Sequence, residues 1–204
     1  GWDFSVPRNL PAGETFEASA IAGAEQGAKV RVGFSTVGHT YSPTVEALCR
    51  NAAALLASGT SVQEVASDTI DFSKAEEVFL ILRGNSFAQK FADLMTDAEM
   101  KALIKPEVIW NASIASTLGL AARTGEAEDS LKKQFAQVQD LFKSIDVLCV
   151  PATLDAAFDA DVRYPTEQLG RTFSNYLSWM MPACIVTTFL CPALVLPCGF
   201  LEDG

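Results

Sequence analysis

The sequence predicts an α/β protein in which a mixed β-sheet is covered by helices. Short apolar stretches with the character of strands, such as residues 30–34 and 146–151, alternate with longer stretches of helical periodicity. Of the 204 residues, 49% are hydrophobic and 20% are charged, so the chain can bury a substantial core. No internal repeat or linker divides the sequence, and we therefore expect one domain over residues 1–204.

The first third of the chain predicts a strand, a helix and a second strand, the unit from which parallel or mixed sheets are built. Before it, residues 1–29 form an irregular lead-in with one short helix expected at residues 17–24. Ser42 is of a type that caps helices and Pro43 suits the first helical position. The expected elements are a strand at 30–34, a helix from 43 to about 59 and a strand at 62–65.

The middle of the chain predicts several helices. Ser73 and Glu76 have the spacing of a capping box, in which each side chain satisfies a free amide of the first turn. Residues 129–145 have the clearest amphipathic pattern, with apolar side chains at steps of three and four. Shorter helices are expected at residues 97–104 and 107–123.

The last part of the chain is almost free of charge. Residues 172–201 are thirty consecutive uncharged residues, a pattern compatible with a membrane span or with the interior of an α/β protein. Pro182, Pro192 and Pro197 favour the interior, because lipid cannot satisfy the backbone groups that prolines leave unpaired. We expect a fully buried central strand at 146–151, a loop to residue 165, a helix at 166–181 and a strand at 193–196.

Charge and cysteine content exclude several classes of protein. The formal net charge of −10 disfavours nucleic acid and anionic membrane surfaces as partners. No N-terminal pattern resembles a signal peptide, and five cysteines, an odd number, fit free thiols in a reducing compartment. We therefore expect a cytoplasmic protein. The cysteines are expected to be small buried hydrophobes, with no metal and no cofactor.

The sequence contains none of the common catalytic motifs. A nucleophile elbow, a phosphate-binding glycine loop and a zinc-binding His-Glu-x-x-His motif are all absent. His39 is interpreted as an ordinary loop histidine because no nucleophile motif lies near it. Asp155, Asp159 and Asp161 are interpreted as a solvated acidic turn, since their spacing lacks the glycine and distal glutamate of a calcium loop. The residues alone assign no reaction.

The order of the segments nevertheless resembles a known family, the amidase signature family, over essentially the whole chain. Its most specific part is the closing sequence Cys191-Pro-Ala-Leu-Val-Leu-Pro-Cys-Gly-Phe200, which is similar to that family's late strand. The other segments that carry the resemblance are Val30-Arg-Val-Gly-Phe-Ser35 with the helix begun by Ser42-Pro43, Asp146-Val-Leu-Cys-Val-Pro-Ala-Thr153, and Tyr176-Leu-Ser-Trp-Met180. The resemblance implies the C-terminal half of an incomplete amidase fold.

The resemblance also implies a reaction, the hydrolysis of a carboxylic amide through a serine acyl-enzyme. In that family a lysine and a serine in a cis peptide activate the nucleophilic serine, and backbone amides of a glycine- and serine-rich loop stabilise the oxyanion. The Gly-Gly-Ser-Ser-Gly-Gly signature is absent here, so no catalytic residue is assigned. The implied partners are a small amide substrate and a missing catalytic core segment of the same protein. The alternative is a soluble, non-catalytic α/β binding module.

In the resembling family the loop after the 146–151 strand and the late helix shape the substrate site. The implied substrate-binding residues are Pro151, Thr153, Leu154, Phe158, Trp179, Met180 and Thr187. Their apolar and aromatic side chains favour an apolar or aromatic amide, although the same residues also suit a protein core. Without the missing segment, the strands at 147–150 and 193–196 are expected to expose unpaired edges and apolar area, and the chain to form homo-oligomers or aggregate.

Overall fold

The computed structural model describes residues 29–117 and 119–201. The helix expected at residues 17–24 lies outside the described residues. The α/β class is confirmed: helices pack on a small parallel sheet, and an antiparallel hairpin stands apart from it. In chain order the elements are β1 (Val32–Phe34), α1 (Pro43–Leu56), β2 (Gln63–Glu64), α2 (Ala75–Lys90), α3 (Ala92–Thr96), α4 (Ala98–Ala102), α5 (Pro106–Thr117), α6 (Thr124–Leu141), β3 (Val147–Cys149), β4 (Glu167–Gln168), β5 (Arg171–Thr172) and α7 (Met181–Thr187), with 3₁₀ turns at Leu120–Arg123 and Ser178–Met180.

The predicted strand–helix–strand unit is confirmed as β1, α1 and β2. The Ser42 hydroxyl accepts the Val45 amide at 3.4 Å, and Pro43 occupies the first turn of α1, so the helix begins where its local signals indicate. β1 pairs in parallel with β2 on one side and with β3 on the other. At the start of β1 and β3, the Arg31 guanidinium binds Asp146 through Nη2–Oδ1 (2.7 Å) and Nε–Oδ2 (3.1 Å).

The core lies between the sheet and a layer of helices in which α2 packs against α5, α6 and α7. One face of the sheet buries Val32 and Phe34 against Ala53 of α1 and against Ala57, the residue that caps the end of this helix. The other side holds the largest apolar cluster, centred on buried residues from the loops, α6 and α7: Val37, Val65, Ile70, Ala75, Val138, Leu141, Ile145, Leu177, Met181, Cys184, Ile185 and Phe189. Within the described part of the chain, no helix is both long enough and apolar enough to cross a bilayer.

The capping box predicted at Ser73 is wrong. α2 begins two residues later, its cap residue is Lys74, and no side chain caps it. The Ser73 amide instead donates to the Asp71 carboxylate at 2.9 Å. Residues 71–73 therefore form an Asx turn in place of the predicted capping box, because an Asp side chain competes well for the backbone amide two residues further on.

The helix predicted at residues 166–181 is also wrong. This stretch forms the β4–β5 hairpin and then a 3₁₀ turn at Ser178–Met180 before α7 begins. Leu169 and Gly170 have φ values of 53° and 71°, which are the positive angles that a tight two-residue hairpin turn requires. A helix cannot continue through these positive φ angles, so the chain forms a hairpin here instead.

Two predictions about the framework strands need correction. β3 is not a fully buried central strand: it pairs only with β1 in the described sheet, and Val147 is 40% exposed. Residues 193–196 form no strand, and Leu194 is 80% exposed. Residues 192–201 make no backbone hydrogen bond to the rest of the described chain. Both segments are apolar, but the described residues cover β3 only in part and leave residues 192–200 exposed.

Candidate functional site

The candidate site lies where β1 and β3 end at the same edge of the parallel sheet. Loop 35–42 follows β1 and loop 150–166 follows β3. The Ser42 amide donates to the Leu154 carbonyl at 2.8 Å, which joins the two loops. Ligands of open α/β sheets bind at this carboxyl edge, where loops from neighbouring strands meet.

A cavity of about 280 Å³ opens in this region, close to the lower end of the size range of small-molecule sites. Most of its wall comes from the loop after β3. The lining residues are Thr153, Leu154, Asp155, Ala156, Ala157, Phe158, Gln168 and Trp179.

Two packed aromatic side chains form part of this wall. The Phe158 and Trp179 rings meet edge to face, with centroids 5.3 Å apart and an interplanar angle of 85°, a favourable arrangement for aromatic pairs. Behind them Tyr41, Leu154 and Phe173 form a buried cluster, and Trp179 packs against it. The cavity therefore offers a rigid apolar surface to a ligand.

Three buried polar atoms near this surface have no hydrogen-bond partner within residues 29–117 and 119–201: Tyr41 Oη, Trp179 Nε1 and His39 Nε2. A buried donor without an acceptor costs about 1–3 kcal/mol, so such groups usually have a partner that completes them. Burial, with smaller contributions from Cys49 and Glu46, raises the pKa of Tyr41. Tyr41 and Trp179 are therefore both hydrogen-bond donors at neutral pH.

His39 lies in the loop after β1, within the electrostatic influence of Arg171 on β5. Burial lowers the pKa of His39, and the positive charge of Arg171 lowers it further. The imidazole is therefore neutral at pH 7, which leaves one ring nitrogen as an acceptor. The interpretation of His39 as an ordinary loop histidine did not foresee this half-buried position or its unpartnered nitrogen.

In the acidic turn after β3, two carboxylates accept hydrogen bonds from nearby backbone amides. Asp155 accepts the Ala156 amide at 2.8 Å, and Asp159 accepts the Asp161 amide at 2.9 Å. Within residues 29–117 and 119–201, no group of three or more His, Cys, Asp or Glu residues is placed to hold a metal ion. Asp155 also contributes to the cavity wall, so the wall carries one carboxylate.

The structure brings together four of the seven residues that the resemblance implied as substrate-binding. Thr153, Leu154, Phe158 and Trp179 line the one cavity. Pro151 is fully buried at the base of the loop, and Met180 packs against the main core cluster. Neither lines the cavity, because Pro151 precedes the exposed part of the loop and Met180 follows Trp179 in a 3₁₀ turn that rotates successive side chains apart.

Thr187 lies elsewhere, at the end of α7. It lines a second cavity of about 260 Å³ between α2 and α7, whose wall includes Arg83, Phe87 and Leu131. Its hydroxyl donates to the Cys184 carbonyl at 2.6 Å, a bond within the helix. The structure therefore does not place Thr187 with the other implied site residues.

Sequence reasoning did not identify Tyr41 and Gln168 as members of this region. Tyr41 follows β1 in a polar loop, and polar residues just after a predicted parallel strand are a usable signal for a site. Gln168 reaches the cavity from β4, in a segment predicted to be helical. No signal for its position was available once the hairpin turn had been overlooked.

Comparison with known proteins gives a family match. Residues 6–204 match the model of the Amidase family. No curated protein sequence matches the chain.

Among solved structures, the fold is similar to that of a bacterial aryl acylamidase, described as belonging to the amidase signature enzymes, with a TM-score of 0.60 and 15% sequence identity. The likeness covers 79% of this chain and 35% of that one, so the chain spans about a third of the aryl acylamidase.

Proposed function

The chain belongs to the amidase family, and we propose that it forms the substrate-binding part of an amide hydrolase. The proposed reaction is cleavage of a carboxylic amide C–N bond through a serine acyl-enzyme, as the family resemblance implies. The observation that supports this role best is the aromatic-walled cavity at the carboxyl edge of the sheet.

We propose that the catalytic serine and lysine belong to another segment of the same protein. The 204 residues contain no Ser-Ser and no Gly-Gly pair, whereas the family's nucleophile lies in a glycine- and serine-rich signature. Val147 on β3 and the segment around Leu194 are exposed and apolar, which supports a covering segment of protein. A self-contained binding module, the alternative, would bury such framework residues itself.

The proposed substrate is a small, neutral amide with an apolar or aromatic group. Phe158 and Trp179 would contact that group, while Thr153 and Leu154 complete the wall. The unpartnered Trp179 N–H is a donor for which an amide carbonyl is a suitable acceptor. The Asp155 carboxylate in the same wall disfavours a substrate with a negative charge near it.

The test compares the full-length protein with residues 1–204 in a hydrolysis assay on anilides and short aliphatic amides. We expect the full-length protein to cleave the aromatic amides and the 204-residue chain to cleave neither class. Binding without cleavage by the full-length protein would favour the binding module, and absence of both would contradict the proposal.

A matched pair of variants then tests the cavity. Trp179→Phe keeps an aromatic ring but removes the N–H donor, and we expect it to lower kcat/KM for aromatic amides about 10-fold, corresponding to the loss of one hydrogen bond. Trp110→Phe makes the same change in the helical layer, where Trp110 packs edge-on against Tyr176, and should leave kcat/KM unchanged. Equal effects of the two substitutions would contradict a role for the cavity.

A further inference from the structure

Two thiols that are 149 residues apart in the sequence meet at the surface of α1. The Sγ atoms of Cys49 and Cys198 are 3.8 Å apart. Cys49 lies on α1 and is half-buried against the cluster that covers the sheet. Cys198 is exposed, in the extended segment that follows α7.

Next to this pair of thiols, the extended segment packs closely against α1. A Cβ atom built on Gly199 would lie 2.9 Å from Leu48 Cδ2, so the backbone there rests directly on the helix. Further back, Val195 is 77% exposed, and no backbone hydrogen bond holds residues 192–201 to other described residues. Position 198 is therefore an anchor for a segment that is otherwise weakly held.

We propose that Cys49 and Cys198 form an oxidation site, in which a disulfide fastens residues 192–200 to α1. The sulfur atoms need to approach by less than 2 Å to reach the bond length of about 2.05 Å. The exposed side of the pair is a loop without ladder hydrogen bonds, so it can supply this movement without disturbing the sheet. The oxidant is a peroxide or a small-molecule disulfide.

With hydrogen peroxide the step is balanced as follows. The Cys198 sulfur attacks one peroxide oxygen, the O–O bond breaks, and water and a Cys198 sulfenic acid form. The Cys49 sulfur then attacks the Cys198 sulfur, the S–O bond breaks, and the Cys49 proton leaves with the hydroxyl group as a second water. Two thiols are oxidised to one disulfide, and one peroxide is reduced to two waters.

The order of attack follows from the environment of each thiol. Burial, reinforced by the contact with Cys198, raises the pKa of Cys49 to about 12. A thiol of that kind reacts slowly with an oxidant, because the thiolate is the nucleophile. Cys198 is exposed and meets the oxidant first, and Cys49 resolves the product because it is already in contact.

The test is mild oxidation of the 204-residue chain, in which Cys198 is exposed, followed by peptide mapping without reduction. We expect a linked pair of peptides that contain Cys49 and Cys198, and the loss of two free thiols relative to the reduced protein. Reduction with dithiothreitol should restore both thiols. Limited proteolysis should cut the 192–200 segment several-fold more slowly in the oxidised protein, since the disulfide removes its freedom.

Serine variants provide the controls. Cys49→Ser and Cys198→Ser should each abolish the link, whereas Cys149→Ser and Cys184→Ser should leave it intact. Cys149 is the sharper control, because it packs against the same cluster as Cys49. A Cys49–Cys149 link, a link between two molecules, or retention of both thiols after oxidation would each overturn the proposal.

Discussion

Helix α7 and the segment that follows it come from the same uncharged stretch, yet their burial is opposite. Met181 on α7 is fully buried in the main core cluster, whereas Leu194, thirteen residues later, is 80% exposed. α7 packs on α2 and on the loops of the core, while residues 193–196 pair with no described strand. Apolar composition therefore shows that a segment needs a partner, but does not show where the partner is.

The largest effect that tests this contrast comes from Met181→Ala. Removing a fully buried side chain should lower the free energy of unfolding by about 2–5 kcal/mol in the 204-residue chain. Leu194→Ala should change it by about 0.5 kcal/mol or less, as for other exposed sites. Urea denaturation followed by circular dichroism measures both values.

Met181→Ala and Leu194→Ala can also be compared in the full-length protein. There we expect Leu194→Ala to become costly as well, because the proposed covering segment would bury that side chain. A cost below about 0.5 kcal/mol in both forms would mean that nothing covers residues 193–196.

Gly33→Ala should have the next largest effect. A Cβ at this position of β1 would lie 2.8 Å from Ile145 Cδ1 and 3.1 Å from Val65 Cγ2, both in the packed core. Overpacking of this kind costs about 1–3 kcal/mol. Gly199→Ala makes a similarly close contact with Leu48 at the exposed end of the chain, and the φ of 155° at this position adds backbone strain. It should still lower the stability of the 204-residue chain less than Gly33→Ala does, because the exposed segment can shift into solvent without disturbing the core. Thermal denaturation of the two variants distinguishes them, and equal losses would show that the extended segment is as constrained as the core.

Val195→Asp addresses the exposed segment itself. We expect the 204-residue chain to self-associate through its uncovered apolar edge, and a charge at this 77% exposed position should raise the monomer fraction. Leu55→Asp places the same charge on an exposed residue at the end of α1, away from residues 192–200 in the sequence, and should have little influence. Sedimentation velocity measures the fractions of monomer and of larger species. A wild-type chain that is monomeric at all concentrations contradicts the expectation.

The smallest effect concerns pH and His39. Because the pKa of His39 is lowered in the folded protein, the unfolded chain binds more protons as the pH falls below 6.5. Stability is therefore fully present above that pH and decreases as the pH falls toward the folded pKa. His39→Gln should reduce this pH dependence of the free energy of unfolding, measured by urea titrations at pH 7.5 and at acidic pH. Parallel curves for both proteins would show that His39 is not responsible.

Elements with complete local signals could be predicted from the sequence. Ser42 and Pro43 begin α1 where expected, and the helical periodicity of residues 129–145 belongs largely to α6. The prediction of a helix at residues 166–181 was wrong because the hairpin depends on positive φ angles at Leu169 and Gly170, and the pattern of apolar residues does not indicate such angles. The predictions of a buried strand at β3 and of a strand at residues 193–196 were wrong because burial and pairing depend on neighbours that the local sequence does not specify.

The candidate site was predictable to a similar degree. The family resemblance pointed to the loop after β3 and to Trp179, and Thr153, Leu154 and Phe158 share one cavity with that tryptophan. Met180, its immediate neighbour, faces the core instead, because a single step along a 3₁₀ turn changes direction by about 120°. Tyr41 joins the region through tertiary packing, and its position just after β1 is the one feature of the sequence that could have indicated it.

Ser42 takes part in two bonds at once, since its hydroxyl holds the first turn of α1 and its amide holds Leu154 in the wall of the cavity. The start of that helix and the wall are consequently tied together through one residue. A tilt of α1, whether imposed by a neighbouring molecule or by a bond formed farther along the same helix, would alter the width of the opening without any contact to its occupant.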